Sequence, residues 1–319
     1  MSVNKSEILV KVPLRISGFF QIVDEINGVK IKNPEKIGSR GAGFCLTAFG
    51  YTRISIQDIE SSKENKVEIF INGQEQTENA QTTYYIYSYL RDFFKKNVKL
   101  RIDHKFDLPV GCGYGASGSG AIGTALGINF LMDLNLPYDD LGKIAHIAEV
   151  ENKTGLGTVA GLWHGGFSII LKAGFPFFVK KISYPQNLKI ICGTFGEIQT
   201  KSILSDPLLS SKIKEVGKKA MKNILKSPDI FTFLDESINF VKKTDFLNLL
   251  NLSECQELMN SLNKLKNVKA SMNQLGKSIF TICFPEEFID IIEIYESYKP
   301  QVKIFDLEIN PSGPVILNQ

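Results

Sequence analysis

The sequence predicts an α+β protein with two domains, and three observations lead to that prediction. The chain has 319 residues, enough for about two domains. Segments with strand-like alternation and segments with helical periodicity mix in both halves of the chain. The pattern changes near Tyr184 and Pro185, after which long helical segments rich in Lys, Asn and Leu predominate. We therefore expect an N-terminal domain over residues 1–184 and a C-terminal domain over residues 185–319.

The N-terminal half alternates strands and helices. Apolar residues at Ile86, Leu90 and Phe93 have the spacing of an amphipathic helix, and VKLRIDHKF alternates as a half-buried strand does. The expected strands are Glu7–Val12, Ile54–Gln57, Lys66–Ile71, Val98–Phe106, Gly166–Leu171 and Phe177–Ile182. The expected helices are Thr82–Lys95, Gly118–Leu134 and Asp139–Glu151.

The C-terminal half is predicted to combine long helices with a few apolar strands. The expected strands are Leu188–Gly193, Ser278–Phe284 and Val302–Glu308. The expected helices are Lys212–Leu225, Ile230–Lys242, Phe246–Leu265 and Glu286–Ser297. The sequence shows no internal repeat.

Composition excludes several classes of protein. Lys and Arg number 37 against 34 Asp and Glu, which gives a net charge of +3 without any long run of like charges. Nucleic acid or a membrane surface is therefore not an expected partner. The segment Leu108–Met132 carries no charge, but its apolar part, Ile122–Met132, is too short to span a bilayer. Five scattered cysteines and no apolar leader indicate reduced thiols, no zinc site and a cytoplasmic location.

The uncharged segment contains a glycine-rich stretch, Leu108-Pro-Val-Gly-Cys-Gly-Tyr-Gly-Ala-Ser-Gly-Ser-Gly-Ala121, between a strand and a helix. Glycines allow backbone amides to converge, and a helix N-terminus adds partial positive charge, so the stretch suits phosphate. Gly113–Gly118 also matches the dinucleotide fingerprint GxGxxG, with Asp133 further on, which leaves a nicotinamide-dependent oxidoreductase as an alternative. Gly276-Lys-Ser278 resembles the end of a Walker A motif, but Ser271 stands where that motif needs glycine.

Several motifs in order resemble the GHMP kinase superfamily, and most of all its archaeal pantoate kinase group. They are the loop above, Pro13–Phe20 (PLRISGFF), Gly38–Gly43 (GSRGAG), His146–Val150 (HIAEV) with Thr154–Gly157, Gly165-Gly166 and Lys269–Gly276. The resemblance implies an N-terminal nucleotide-binding domain with a left-handed β-α-β crossover and a ferredoxin-like C-terminal domain. It also implies ATP and Mg²⁺ as cofactors, a small-molecule acceptor, and the homodimer that is common in this group.

The resemblance assigns roles on the nucleotide side. It places Ser117 and Glu149 at the magnesium, and a hydroxyl with one carboxylate is a ligand set that this ion accepts. The residues expected to bind the nucleotide are Gly111, Gly113, Gly115, Ala116, Ser117, Gly118 and Ser119. Those expected to act in catalysis are Ser117, Glu149 and Thr158.

For the acceptor, the resemblance implies contacts from the GSRGAG turn, a histidine and the strand after the paired glycines. The residues expected to bind the acceptor are Ser39, Arg40, His146, Gly165, Gly166 and Ile170. Arg15 is a further cation near these motifs, with either a functional or a structural role.

Two positions depart from the resembled pattern. Thr158 replaces the usual aspartate, and threonine cannot act as a base at neutral pH, although positioning and charge stabilisation can still support transfer. Ile170 stands where the group commonly carries an arginine that binds the pantoate carboxylate. An isoleucine suits a neutral amide instead, because a buried carboxylate without a partner is costly.

We therefore expect a kinase that phosphorylates the primary hydroxyl of pantothenate on the way to coenzyme A. Lys172, two residues beyond Ile170 on the same strand face, keeps pantoate kinase as the alternative. A nucleotide-binding GHMP-fold protein without catalysis is the lesser alternative.

Overall fold

The computed structural model describes residues 6–58, 64–198 and 205–317 of the chain. It has an α+β architecture in which one large sheet and one smaller sheet are each covered by helices, so the predicted fold class is confirmed. The larger sheet and the helices on it carry most of the predicted site.

The first sheet is built mainly from antiparallel strands. Its strands are β1 (Glu7–Val23), β4 (Gly38–Asp58), β5 (Lys66–Ile71), β6 (Gln74–Glu75), β7 (Lys99–Phe106), β8 (Phe167–Lys172), β9 (Phe178–Lys181) and β14 (Val315–Leu317). The main path runs β14-β1-β4-β7-β5-β6, and β8 joins β4 and carries β9. Strands β5 and β7 are parallel, with helix α1 (Gln81–Leu90) between them in the chain. A separate short hairpin contains β2 (Glu25–Ile26) and β3 (Val29–Lys30).

Strands β1 and β4 are much longer than the sequence predicts, and the expected glycine-rich turn at Gly38–Gly43 is wrong. Those residues form the first part of β4, which pairs with β1 over Ser17–Val23 and with β8. A Cβ at Gly41 would lie 2.5 Å from the carbonyl oxygen of Phe19, and one at Gly43 would overlap the carbonyl oxygen of Ile16. The glycines therefore permit close approach of neighbouring strands rather than a reversal of the chain.

Helix α2 (Ala116–Leu131) follows the glycine-rich loop and packs tightly on β1 and β4. Gly120, Gly123 and Gly127 face the sheet; a Cβ at Gly120 would lie 3.3 Å from His104, and one at Gly127 would lie 2.8 Å from Ile54. The helix can approach so closely only because these residues lack side chains.

Other helices complete the layer over the first sheet. They are the short 3₁₀ helix Arg91–Phe93, α3 (Tyr138–Glu151) and α4 (Thr158–His164). The expected helix Thr82–Lys95 is therefore shorter than predicted, because a 3₁₀ turn follows Leu90 and Phe94 is extended.

The second sheet has the strand order β11-β12-β10-β13 and is antiparallel. Its strands are β10 (Lys189–Gly196), β11 (Lys269–Met272), β12 (Lys277–Cys283) and β13 (Lys303–Leu307). Its helices are α5 (Pro207–Lys226), α6 (Ile230–Thr244), α7 (Phe246–Leu249), α8 (Ser253–Leu262), the 3₁₀ helix Pro285–Glu287 and α9 (Phe288–Glu296). The single helix expected over Phe246–Leu265 is interrupted at Asn251, whose φ of +53° lies in the left-handed region.

Two apolar cores lie within this architecture. One joins β1, β4 and β7 to helices α1, α2 and α3. The other extends from the second half of β1 and the first half of β4 through Phe44 and Phe233 into the second sheet. Strand β14 returns from the end of the chain to pair with β1. The division at residue 184 stays a prediction.

None of the helices in the described ranges combines the length and apolar character needed to cross a membrane. Cys45, Cys112, Cys192, Cys255 and Cys283 are all buried and form no disulfide.

Candidate active site

The glycine-rich loop is shaped by left-handed backbone at alternate positions. Gly111, Gly113 and Gly115 have φ values of 77°, 87° and 74°, which only glycine adopts without strain. Gly115 precedes α2, and no side chain caps the first turn of that helix. The unpaired amides at this helix start therefore remain available for an anion.

The loop is held from the second sheet. The hydroxyl groups of Tyr114 and Thr194 are 2.6 Å apart, and the Ser278 hydroxyl donates to the carbonyl of Cys112 at 2.9 Å. A Cβ at Gly113 would lie 2.9 Å from the backbone of Gly276. The predicted loop and the predicted C-terminal motif are thus in direct contact.

One cavity of about 400 Å³ opens beside the loop, within the range of small-molecule sites. We call residues Val110–Ser117 the phosphate wall; of these, Val110, Gly111, Gly113, Tyr114, Gly115, Ala116 and Ser117 line the cavity. We call Arg15, Ser17, Ser39 and Ile170 the acceptor wall. Arg15 is the only charged residue that lines this cavity in the described ranges.

Glu149 lies behind the phosphate wall rather than in its lining. Its side chain is only 1% exposed, and Oε1 accepts a hydrogen bond from the Thr154 hydroxyl at 2.7 Å. Oε2 is buried without a hydrogen-bond partner and lies 3.2 Å from the place of a Cβ at Gly118. Burial raises the pKa of the carboxyl, and the hydroxyl groups of Thr154 and Ser117 oppose that rise. An orphaned carboxylate oxygen at the start of α2 fits a cation held beside bound phosphates.

Thr158 begins α4 and packs against the loop through its methyl group. Its Cγ2 lies 2.7 Å from the place of a Cβ at Gly115 and 3.1 Å from that at Gly118. Thr158 also lines the cavity. The structure therefore brings Ser117, Glu149 and Thr158 close together, without the carboxylate that the resembled pattern carries at position 158, and their catalytic role stays a prediction.

The acceptor wall collects residues that are far apart in the chain. The Ser39 hydroxyl and Ile170 Cδ1 both approach Gly157, where a Cβ would lie 3.4 Å from Ile170. Arg15 is 2% exposed, and its guanidinium donates to the Ser168 hydroxyl at 3.1 Å and to the Ser168 carbonyl at 3.4 Å. Burial lowers the pKa of Arg15.

Several residues expected to bind the nucleotide or acceptor do not line the cavity. His146 is buried, and its Nε2 lies 2.9 Å from the carbonyl oxygen of Ile37. The Ser119 hydroxyl donates to the carbonyl of Val12 at 3.4 Å on the sheet side of α2. The residues outside the lining are Arg40, His146, Gly165, Gly166, Gly118 and Ser119. Their predicted roles stay predictions.

Gly165 and Gly166 have a structural reason of their own. Both have positive φ, at 68° and 67°, where the chain turns from α4 into β8. A Cβ at Gly165 would overlap the backbone of Ser312, and the Gly166 amide donates to the carbonyl of Asn310 at 2.9 Å. These glycines therefore allow the segment around Asn310 and Ser312 to pack closely at the start of β8.

The sequence did not predict the roles of Ser168 and Gln274 in the site. Ser168 fixes Arg15, and Gln274 lines the cavity with its Oε1 buried and unpaired. No local motif indicates Ser168, since it becomes relevant only when β1 and β8 flank β4. Lys172, the expected substitute for an arginine, is exposed, and its ammonium lies over the Phe178 ring at 5.1 Å.

Comparison with known proteins agrees with the fold and the loop. The family described as GHMP kinases N terminal domain matches residues 81–166, which include the phosphate wall. A pantoate kinase of Methanocaldococcus jannaschii is 32% identical over 289 residues, covering 89% of this chain and 96% of that protein. A pantoate kinase of Thermococcus kodakarensis is 30% identical, covering 86% of this chain and 87% of that protein.

Solved structures give the same picture over almost the whole chain. A structure described as a phosphotransferase related to the coenzyme A biosynthesis pathway superposes with a TM-score of 0.84 at 27% identity, covering 98% of each chain. A homoserine kinase from Cytophaga hutchinsonii has a TM-score of 0.67 at 17% identity, covering 99% of each chain, which shows a shared fold.

A phosphate loop that opens a buried helix on this fold is what defines the GHMP kinase class. The chain belongs to the GHMP kinase superfamily, in the group that contains the pantoate kinases. It is therefore a kinase, and ATP is the nucleotide that this superfamily uses. The oxidoreductase alternative is wrong, because Gly113–Gly118 is part of a kinase loop.

The expected specificity for pantothenate is also wrong. Relatives that are 26–32% identical along most of the chain are pantoate kinases. Position 170 is not the only one from which a cation could reach the acceptor. Arg15 lines the same cavity, so an isoleucine at position 170 does not leave this wall without positive charge.

Proposed function

We propose that this protein is a pantoate kinase that transfers the γ-phosphoryl group of ATP to the primary hydroxyl of pantoate. The observation that carries the proposal is the single cavity shared by the phosphate wall and the acceptor wall. It offers unpaired amides to a nucleotide and hydroxyl groups with one cation to a small hydroxy acid. The full-length relatives that are pantoate kinases support the identity of that acid.

The reaction forms a bond between the pantoate oxygen and the γ-phosphorus and breaks the bond from that phosphorus to the β-phosphate oxygen. ADP leaves, and the hydroxyl proton is released. Transfer of this kind depends mainly on positioning and on stabilising charge on the transferred oxygens. The amides at Gly115–Ser117 and the N-terminus of α2 would supply that stabilisation.

Ser117 and Glu149 are the residues that would hold Mg²⁺ together with the nucleotide phosphates. When bound, the ion neutralises charge on the β- and γ-phosphates. No cluster of three acidic, histidine or cysteine ligands occurs in the part of the chain that the structure describes. This agrees with an ion that uses few protein ligands and needs the nucleotide to complete its shell.

Thr158 is proposed to position the acceptor hydroxyl. It lines the cavity beside Gly115, next to the loop that is proposed to hold the phosphates. Its hydroxyl can donate or accept a hydrogen bond but cannot hold the proton as a carboxylate would. The chemical step is therefore proposed to proceed without a carboxylate at this position.

A coupled assay of ADP release tests the proposal, with pantoate and pantothenate supplied separately and ATP alone as the background. We expect ADP release to depend on pantoate, and mass spectrometry to find one phosphoryl group on it. Turnover of pantothenate alone would contradict the proposal. Nucleotide binding without ADP release for either acceptor would favour a non-catalytic binding protein.

A further inference from the structure

The acceptor wall contains a buried cation with no carboxylate partner. Arg15 is 2% exposed, and no acidic residue in the described ranges forms an ion pair with it. Besides burial, the one group in the described ranges that shifts the pKa of Arg15 is the thiol of Cys45. A guanidinium removed from water without a counter-ion is unfavourable for the folded protein. Such a group is therefore expected where a ligand supplies the missing negative charge.

The guanidinium is held in place by neutral groups. Ser168 accepts two hydrogen bonds from it, through its hydroxyl and its carbonyl oxygen. Gly161 in α4 leaves room for it, because a Cβ there would lie 2.5 Å from both Cζ and Nε of Arg15. The planar fork is thus oriented while its charge stays uncompensated.

The orientation connects Arg15 with the wall that faces the acceptor. Ser168 and Ile170 alternate on β8, so their side chains share one face of that strand. Ile170 and Ser39 meet at Gly157 in the same cavity. The hydrogen bonds that the Arg15 guanidinium donates go to Ser168 on β8 and not to the phosphate wall.

We propose that Arg15, oriented by Ser168, binds the carboxylate of the acceptor and thereby selects a hydroxy acid over its neutral amide. This inference rests on the proposed function and names the residue that sets its specificity. The planar guanidinium matches a carboxylate through paired hydrogen bonds, which a lysine cannot reproduce. It supplies from β1 the cation that the chain lacks at Ile170 on β8.

The test compares Arg15→Met and Arg15→Lys with the wild type in steady-state kinetics. The acceptors are pantoate and its neutral primary amide. For Arg15→Met we expect kcat/KM for pantoate to fall by about 100-fold or more, since one partner of a buried charge pair is lost. For the amide we expect little change, so the preference for the acid disappears. Arg15→Lys should recover part of the loss.

Thermal unfolding separates binding of the acceptor from a role in stability alone. Because Met fills the buried volume without a charge, we expect the Tm of the free Arg15→Met protein to equal that of the wild type or to rise. Pantoate should raise the Tm of the wild type but not of this variant. Arg53→Met is the matched control, because Arg53 lies on the same sheet but is an exposed partner of Glu7.

Two results would overturn the assignment while leaving the proposed function intact. One is wild-type turnover of pantoate together with an unchanged KM for pantoate in Arg15→Met. The other is a rise in the KM for ATP with the KM for pantoate unchanged, which would make Arg15 a phosphate ligand. Absence of pantoate turnover by the wild type would contradict the proposed function, and this assignment with it.

Discussion

The two walls of the cavity are built in different ways. The phosphate wall is one continuous segment whose form comes from backbone conformation, with left-handed glycines at positions 111, 113 and 115. The acceptor wall is assembled from side chains on β1, β4 and β8, and it contains the only charge in the lining that the structure describes. We propose that the first wall holds the phosphates of the nucleotide, whereas the second selects the acceptor.

The largest expected effect concerns the group behind the phosphate wall. Glu149→Gln keeps the shape of the side chain but removes its charge, and we expect kcat with pantoate to fall by about 10³-fold because stabilisation of the phosphates is lost. Single-turnover measurements over a range of Mg²⁺ concentrations check this. Glu151→Gln is the control, because Glu151 is exposed on the same helix. Equal rates for the two variants would contradict the metal-binding role.

The backbone of the phosphate wall is tested by Gly113→Ala. The new Cβ would require left-handed alanine and would crowd Gly276 at 2.9 Å, so we expect kcat/KM for ATP to fall by about 10²-fold. Gly73→Ala separates the effect of left-handed backbone strain from that of a steric clash, since Gly73 has a φ of +82° but no atom within 4 Å of its Cβ position. That variant should lose about 1 kcal/mol of stability and keep its activity. Similar kinetic losses in both would show that the contact with Gly276 has no role.

A buried histidine under helix α2 leads to a prediction about pH. His104 lies between the hydroxyl groups of Thr52 and Thr83, at 2.9 and 3.0 Å, under Gly120 of α2. Burial lowers its pKa from 6.5 to about 4. Between these two values the unfolded chain therefore binds more protons than the folded protein. The contribution of His104 to the free energy of unfolding is present above pH 6.5 and is lost as the pH falls toward 4.

Denaturant unfolding at a series of pH values measures this effect. Between pH 7.5 and 5 the wild type should lose about 2 kcal/mol relative to His104→Gln. Parallel stability curves for the two proteins would mean that His104 does not contribute.

The smallest expected effect concerns the position of the Arg15 guanidinium in the acceptor wall. Gly161→Ala would push the Arg15 guanidinium away from Ser168 without removing its charge, so we expect the KM for pantoate to rise about 10-fold. Gly142→Ala is the comparison, because Gly142 is another buried helical glycine, and the nearest atoms to its Cβ would be in the rings of Phe177 and Trp163 rather than in Arg15. An unchanged KM for Gly161→Ala would show that the position of the guanidinium is not critical.

The contrast between the walls also explains what the sequence could predict. The glycine-rich loop is predictable from the sequence because its glycines lie within one short segment and their spacing has a physical meaning. The glycine pattern at Gly38–Gly43 predicts a turn that the structure does not have, because glycines that allow two strands to approach look the same in sequence as glycines that reverse the chain. The role of Arg15 depends on residues more than 150 positions away, which only the sheet order brings together.

The wrong specificity has the same cause. The absence of an arginine at position 170 is visible in the sequence, whereas the sequence leaves Arg15, on another strand of the same sheet, with either a functional or a structural role. Charge in a cavity has to be counted over all the elements that line it, and here that count depends on β1, β4 and β8 together.

The choice of acceptor is measured most directly by a competition experiment in which the wild type receives ATP, Mg²⁺ and equal amounts of pantoate and pantothenate in one mixture. The ratio of the two phosphorylated products, measured by mass spectrometry at early times, gives the ratio of kcat/KM values. We predict that phosphopantoate exceeds phosphopantothenate by at least about 100-fold, because only pantoate offers its carboxylate next to the carbon that bears the secondary hydroxyl. An excess of phosphopantothenate would show that the acceptor wall does not select the free carboxylate of pantoate.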